Sequence, residues 1–215
     1  GLCHMMETGN GEAARTAGLL KEKLLQWAPE HGKYPMDIKG LVIKRQHEAN
    51  RIEICFSKPS VSVIIQGSKR TMLGSEEYCY GENQCLVTGV DMPSSFYVTD
   101  ASPERPFLAL CLDLDKYLIT RLAAEVPPPC PAGICSYKGL SVADVDPDIL
   151  NAFLRLIALL EKPEQIPILG PLIIREIHYR LLIGPPKGEI PAAAEHPRHP
   201  EQSDRPSHHM AARQL

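Results

Sequence analysis

Length and charge already exclude several kinds of protein. The 215 residues suffice for one good-sized domain, and 44% of them are hydrophobic, which is ordinary for a globular protein. A formal net charge of −3 argues against a chain that binds nucleic acid on its own, because that function usually needs a strongly basic surface. No apolar run approaches the roughly 20 residues of a membrane span, and no signal peptide is recognisable, so we expect a cytoplasmic protein with reduced thiols.

The N-terminal part of the chain predicts one helix followed by extended segments. Residues 1–10 indicate a cloning remnant or flexible start and are left out of the predicted fold. Residues 12–28 predict a helix, because apolar residues recur there at spacings of three and four, and Pro29 ends it. Beyond this helix, residues 41–44 and 51–55 have the composition of two strands that form a first hairpin.

Residues 55–114 predict a compact β core. Short β-prone runs alternate there with turn signals, and the strands recur at a spacing of roughly eight to twelve residues. A sandwich or small barrel of about seven or eight strands gives this pattern. The runs are 61–65, 69–73, 78–80, 85–88, 96–99 and 107–112, and a Gly-Ser turn separates the second from the third.

Three helices are predicted after the β core. Asp113 or Asp115 caps the first, and the Asp-Pro pair at residues 146–147 begins the second. The third runs over about residues 166–182. Residues 130–145, between the first and second helices, contain proline and glycine and indicate an irregular segment.

Four sequence blocks carry a resemblance to a known family. In chain order they are residues 66–70 (QGSKR), 89–93 (GVDMP), 101–106 (ASPERP) and 172–185 (LIIREIHYRLLIGP). Their order and spacing resemble the N-terminal domain of AraC-type transcription regulators, over about residues 39–185.

The resemblance implies both a fold and a function. The fold is α+β, a cupin-like β barrel or sandwich with an N-terminal helix and a C-terminal helical pair, within residues 11–185. The function is that of the domain that senses a small-molecule effector and forms a homodimer in a bacterial transcription regulator, with no enzymatic activity, no cofactor and no membrane contact.

The end of the chain departs from the pattern of that family. Full-length members carry two helix-turn-helix motifs after the sensing domain. Residues 186–215 are instead rich in proline and contain no aromatic residue, so we expect a disordered or non-family tail without such a motif. DNA contact would then require a DNA-binding domain that is absent from this chain.

A small β barrel can hold one ligand in its mouth, and five residues are candidates for lining it. Tyr78 and Tyr80 share one face of a strand, as do Phe96 and Val98, by the period of two. His47 is the only histidine between residues 39 and 114 and could orient a ligand. The alternative is that these side chains simply fill the core.

The last two helices carry more apolar surface than a small barrel needs to cover, which predicts a two-fold homodimer. On the final helix, Arg175 and Glu176 could form surface ion pairs or contact the second subunit. The candidate interface residues are Leu150, Phe153, Leu154, Ile157, Leu172, Arg175, Glu176 and Tyr179.

Two other classes of function remain open. A cupin-type enzyme would need several imidazole or carboxylate ligands around a metal, and a single core histidine cannot supply them, so we expect no metal and no catalytic residue. A dimerisation module with a filled barrel would bind no ligand. Cys55, Cys79 and Cys111 lie in strand runs and are expected to be small core side chains.

Overall fold

The computed structural model describes residues 2–89, 91–126 and 140–184. These residues form four α-helices and ten strands, with two short 3₁₀ turns before the last helix. In chain order the elements are α1 (Leu2–Trp27), β1 (Gly32–Pro35), β2 (Leu41–Gln46), β3 (Glu53–Ser57), β4 (Ser60–Gln66), β5 (Ser68–Leu73), β6 (Glu76–Gly81), β7 (Gln84–Thr88), β8 (Met92–Asp100), β9 (Phe107–Asp113), α2 (Lys116–Glu125), β10 (Leu140–Asp144), α3 (Pro147–Ala158) and α4 (Ile166–Ile183).

The strands form two antiparallel sheets that face each other. The larger sheet has six strands in the order β1-β2-β9-β4-β7-β10, and the smaller has four in the order β3-β8-β5-β6. With one helix before the sandwich and a helical pair after it, the structure confirms the predicted α+β fold. None of the helices in the described ranges is both long and apolar enough to cross a membrane.

The main hydrophobic core lies between the six-stranded sheet and the helices. The sheet contributes alternate residues of its inner strands, and α1, α3 and α4 contribute their apolar faces. Each fully buried leucine or phenylalanine contributes about 1.5–3 kcal/mol, so this layer dominates the stability. Its members include Leu41, Ile43, Val61, Val63, Leu110 and Leu112 from the sheet, and Leu20, Leu24, Phe153, Ile157, Ile177 and Leu182 from the helices.

A second, smaller cluster lies between the two sheets, at one end of the sandwich. On β9, Phe107 and Ala109 belong to this cluster, whereas the next inward-facing residues along the strand do not. The cluster consists of Ile64, Tyr80, Leu86, Val98, Phe107, Ala109 and Val142. The apolar filling of the sandwich is therefore confined to one end.

Side-chain caps begin two of the helices at the predicted places. Asp115 accepts hydrogen bonds from the backbone N–H groups of Tyr117 (2.9 Å) and Leu118 (3.2 Å), so Asp115 rather than Asp113 caps α2. Asp146 accepts the N–H of Asp148 at 2.7 Å and caps α3.

Three predictions of local structure are wrong. The β2–β3 hairpin does not form, because β2 pairs with β1 and β9 whereas β3 pairs with β8 in the other sheet. The connection crosses between sheets, and Asn50 there has a positive φ of 64° and donates its N–H to the Val98 carbonyl at 2.7 Å. β10 forms at the end of the segment predicted to be irregular, and α1 begins upstream of the predicted start. The predicted tail, residues 186–215, lies outside the described residues.

His178 joins α4 to the beginning of α2. Its side chain is fully buried, its Nε2 accepts the backbone N–H of Asp115 at 2.9 Å, and its Nδ1 donates to the Ile174 carbonyl at 2.7 Å. These bonds require a neutral imidazole that carries its proton on Nδ1. Burial lowers the pKa of His178, and the Ile174 carbonyl and the Asp115 carboxylate oppose that shift.

We expect acid to destabilise the fold through His178. A histidine whose pKa is lowered in the folded state contributes fully above its unfolded value of 6.5, and its contribution is lost as pH falls below that value. Urea titrations between about pH 7 and pH 5 should show a falling free energy of unfolding.

The His178→Ala variant provides the control for this pH dependence. It should lose about 1–3 kcal/mol at neutral pH, because the Asp115 N–H is left without its acceptor, and it should have a flatter pH profile. A variant with the same slope as the unaltered chain would contradict this assignment.

Candidate ligand-binding site

A cavity of about 340 Å³ lies between the two sheets, next to the small apolar cluster. Pairs of residues two apart on the inward faces of seven strands form most of its wall, since successive strand residues point to opposite sides. These pairs are Val42 and Lys44, Cys55 and Ser57, Ser60 and Ser62, Lys69 and Thr71, Leu86 and Thr88, Ser94 and Phe96, and Cys111 and Asp113, with Tyr80 added from β6.

Hydroxyl and thiol groups cover much of the wall, where a sandwich ordinarily buries hydrocarbon. The Ser57 and Ser94 hydroxyls are 2.7 Å apart, and the Cys55 Sγ is 3.2 Å from the Ser94 Oγ. On the opposite sheet, the Cys111 thiol donates to the Ser62 Oγ at 3.4 Å. The cavity can therefore offer many hydrogen-bonding groups to a bound molecule.

Two buried hydroxyls of this wall have no hydrogen-bond partner among the described residues: the Thr71 Oγ1 and the Tyr80 Oη. Both residues are buried on the inner face of the four-stranded sheet. Burial raises the pKa of Tyr80, and the Thr71 and Ser62 hydroxyls oppose that shift, although neither forms a hydrogen bond with Tyr80. An unsatisfied buried hydroxyl costs about 1–3 kcal/mol, so both groups are poised to bind something else.

A buried lysine stands beside these hydroxyls. Lys69 is 7% exposed, and its Nζ lies 3.8 Å from the centroid of the Phe96 ring, which the Lys44 Nζ approaches to 5.5 Å from the other sheet. Burial lowers the pKa of Lys69, against smaller opposing effects of Cys111, Cys55 and Glu53. Neither lysine takes part in an ion pair within the described residues.

Comparison with known proteins assigns the chain to a family. Residues 37–189 match the family described as the N-terminus of AraC-type transcriptional regulators. The chain belongs to this family. A search of curated proteins finds no similar sequence.

Solved structures with a similar arrangement include two regulators. The fatty-acid-bound ToxT of Vibrio cholerae strain SCE256 is 8% identical, with a TM-score of 0.43 over 71% of this chain and 60% of ToxT. The AraC-like transcriptional activator CuxR is 12% identical, with a TM-score of 0.42 over 74% of this chain and 56% of CuxR. The chain thus spans less than two thirds of the length of either regulator.

The AraC-type domain places the five predicted pocket residues in different surroundings. Tyr80 and Phe96 line the cavity, and Val98 lies in the adjoining apolar cluster. Tyr78 packs against that cluster, and its hydroxyl donates a hydrogen bond to the Glu76 carboxylate at 2.6 Å. Burial and, second, this hydrogen bond raise the pKa of Tyr78 to about 12. His47 does not line the cavity.

His47 directly follows β2, at the start of the connection to β3. Its Nε2 accepts the Arg45 Nε–H at 3.0 Å, and its ring meets that of His31 edge to face at 5.7 Å between centroids. Within the described ranges, no group of three or more histidine, cysteine, aspartate or glutamate side chains could hold a metal ion.

The eight predicted interface residues separate into buried and accessible sets. Leu150, Phe153 and Ile157 are buried in the main core, and Leu154 packs against it partly buried, because α1 and α4 already cover the apolar face of α3. On α4, in contrast, Leu172 is 58% exposed and Tyr179 is 43% exposed.

The two charged candidates form ion pairs within the protomer. The Arg175 guanidinium lies 3.1 Å from the Glu125 carboxylate on α2. The Glu176 carboxylate lies 2.6 Å from Arg155 and 3.0 Å from Arg180, and these bonds lower its pKa. Glu176 and Arg155 also line a groove of about 420 Å³ between α3 and α4, together with Leu159, Leu169, Leu172 and Ile173.

Sequence reasoning missed the polar half of the cavity, above all Lys69 and Thr71. The Gly-Ser turn between the runs 69–73 and 78–80 contained the signal, because β5 and β6 pair Lys69 with Tyr80 and Thr71 with Tyr78. Residues paired across strands point to the same face, so an inward Tyr80 requires an inward Lys69. Cys79 points outward and is exposed, so its prediction as a core side chain is wrong.

The unpartnered Tyr80 hydroxyl can be tested through the free energy of unfolding. Tyr80→Phe should leave the free energy of unfolding of the unliganded chain unchanged or raise it by up to about 1 kcal/mol, since the lost hydroxyl has no partner. Tyr78→Phe, on the same face of β6, should lower it by up to about 1 kcal/mol, because its bond to Glu76 is lost. Chemical denaturation measures both, and a loss for Tyr80→Phe as large as that for Tyr78→Phe would show that the Tyr80 hydroxyl is bonded.

Proposed function

We propose that this chain is the effector-sensing and dimerising part of a cytoplasmic AraC-type transcription regulator, and that a small molecule binds in the cavity between the sheets. The observation that carries the proposal is the pair of buried, unpartnered hydroxyls of Thr71 and Tyr80 on the cavity wall. A filled dimerisation module would have no reason to retain them. A binding role, rather than catalysis, agrees with a family of transcription regulators.

The size and lining of the cavity favour a small, partly polar ligand. Its volume of about 340 Å³ is near the lower end of the roughly 300–1,000 Å³ of ligand pockets. Leu86 and Phe96 supply apolar surface, and the serine and threonine hydroxyls supply hydrogen bonds. Such a ligand would relieve the desolvation of the two unpartnered hydroxyls, which makes binding more favourable.

The six-stranded sheet connects the cavity to the helices. On β9, Cys111 faces the cavity, whereas Leu110 and Leu112 face the helical core. A ligand that shifts this strand therefore changes the packing of α3 and α4, and that would reposition an attached DNA-binding domain. Coupling of this kind is typically ~1–3 kcal/mol.

The outer face of α4 is the proposed dimer interface. Ile168, Leu172 and Tyr179 are spaced by four and seven residues, so they form one exposed stripe on the helix. A two-fold axis would place the stripe of one protomer on that of its partner, with the adjacent α3–α4 groove accepting side chains from the other copy.

We expect a thermal-shift screen of small metabolites to yield compounds that stabilise the chain. A ligand at a hundred times its dissociation constant should add about 2.7 kcal/mol of stability. Thr71→Val, which nearly preserves shape, should weaken this response, and Thr99→Val on the outward face of β8 should not. A hit that stabilises both variants equally would place the binding site elsewhere, and the absence of any hit would favour a dimerisation module.

Sedimentation should show a homodimer at micromolar concentration, and Leu172→Asp should convert it to a monomer because the charge would be buried in the interface. Ile54→Asp is the matched control, since Ile54 is 86% exposed on the four-stranded sheet. A monomeric unaltered chain, or a Leu172→Asp variant that remains dimeric, would contradict the α4 interface.

A further inference from the structure

The charges around the cavity are predominantly positive. Four lysines line it, and Asp113 is the only carboxylate among the described residues that line it. Lys33 and Lys58 are exposed and lie at the rim, Lys44 is half-buried, and Lys69 is buried. A molecule that enters from solvent therefore meets positive charge at the rim and again in the interior.

The position of Lys69 has no explanation in the stability of the unliganded fold. Burial of an ammonium group is costly, and its contact with the Phe96 ring recovers only part of that cost. No carboxylate of the described residues lies within ion-pair distance of it, although the opposite sheet is near enough to provide one. An apolar side chain such as methionine would fill the same position without the penalty.

The neighbours of Lys69 extend the same binding surface. Lys69 pairs across β5 and β6 with Tyr80, and Thr71 follows two residues later on the same face. The ammonium and the two unpartnered hydroxyls therefore lie on one wall, and the Lys44 Nζ approaches the same Phe96 ring from the other sheet. This wall can bind a negative group and an adjacent polar group of a single molecule.

We propose that the ligand of this cavity is a small carboxylate, whose anionic group binds between Lys69 and Lys44 and whose remaining polar atoms bind the hydroxyls of Thr71 and Tyr80. The inference rests on the proposed sensing function and names the class of its ligand. A carboxylate fits better than a phosphate group, because the lining, as far as the structure describes it, contains no arginine and only one deeply buried cation.

Matched acids and amides test this inference on the full chain. Thermal unfolding is followed at constant ionic strength with butanoate and 4-hydroxybutanoate, with butanamide and 4-hydroxybutanamide, and with inorganic phosphate. We expect the two acids to raise the melting temperature, 4-hydroxybutanoate more than butanoate, and the amides and phosphate to leave it unchanged.

Two variants assign the effect to the cavity. Lys69→Met should weaken the apparent affinity for the acids at least tenfold, while the unliganded variant is at least as stable as the unaltered chain. Lys116→Met, which removes an exposed lysine on α2, should retain the full response. A Lys69→Met variant that is less stable without ligand would indicate a structural role for Lys69.

The outcomes distinguish this inference from the sensing function itself. Equal stabilisation by acids and amides, no stabilisation by the acids, a stronger effect of phosphate, or a full acid response in Lys69→Met each overturns the carboxylate assignment. Neutral hits from the metabolite screen would then preserve a sensing cavity with a different ligand. If Lys69→Met fails to fold, the acid–amide comparison on the unaltered chain still decides.

Discussion

The packing of α1, α3 and α4 on one face of the six-stranded sheet is the interaction on which the rest of the structure depends. No buried residue of this core comes from the four-stranded sheet. A β-sandwich ordinarily places its main core between its sheets. Here the helices provide most of the apolar burial, so the space between the sheets does not have to be filled with hydrocarbon, and polar residues can occupy it.

This division explains how a stable domain tolerates a costly cavity. Thr71, Tyr80 and Lys69 each leave a polar group buried without a full set of partners. Because a domain has only roughly 5–15 kcal/mol of net stability, it can accommodate this cost only if other regions compensate. Residues that serve a protein's function often lower its stability in this way. The small apolar cluster around Phe107 holds the sheets together at the other end, so the cost is confined to the cavity.

Local signals predicted much of the fold, and contacts between distant segments did not follow from them. Asp115 and Asp146 were predictable as helix caps because capping depends on the nearest residues. The partner of β3 was not, since a strand of mixed composition can pair in either sheet and only the assembled sandwich decides. Lys69 was missed because a lysine in a strand ordinarily indicates the solvent face. Tyr80 and Phe96 could be selected because aromatic residues at alternate positions indicate the inner face, but the pattern does not distinguish cavity from core.

Substitutions in the two sheets differ in whether they affect the cavity alone or the helical core as well. β9 presents Cys111 to the cavity and Leu110 and Leu112 to the helices, so a replacement along it alters the cavity wall and the helix packing together. β5 and β6 contribute to the cavity wall but not to the helical core. Under the proposed function, ligand preference can therefore diverge through the four-stranded sheet while the output is conserved, whereas divergence through β9 must change both at once. Selection for new ligands should accumulate its substitutions in the smaller sheet.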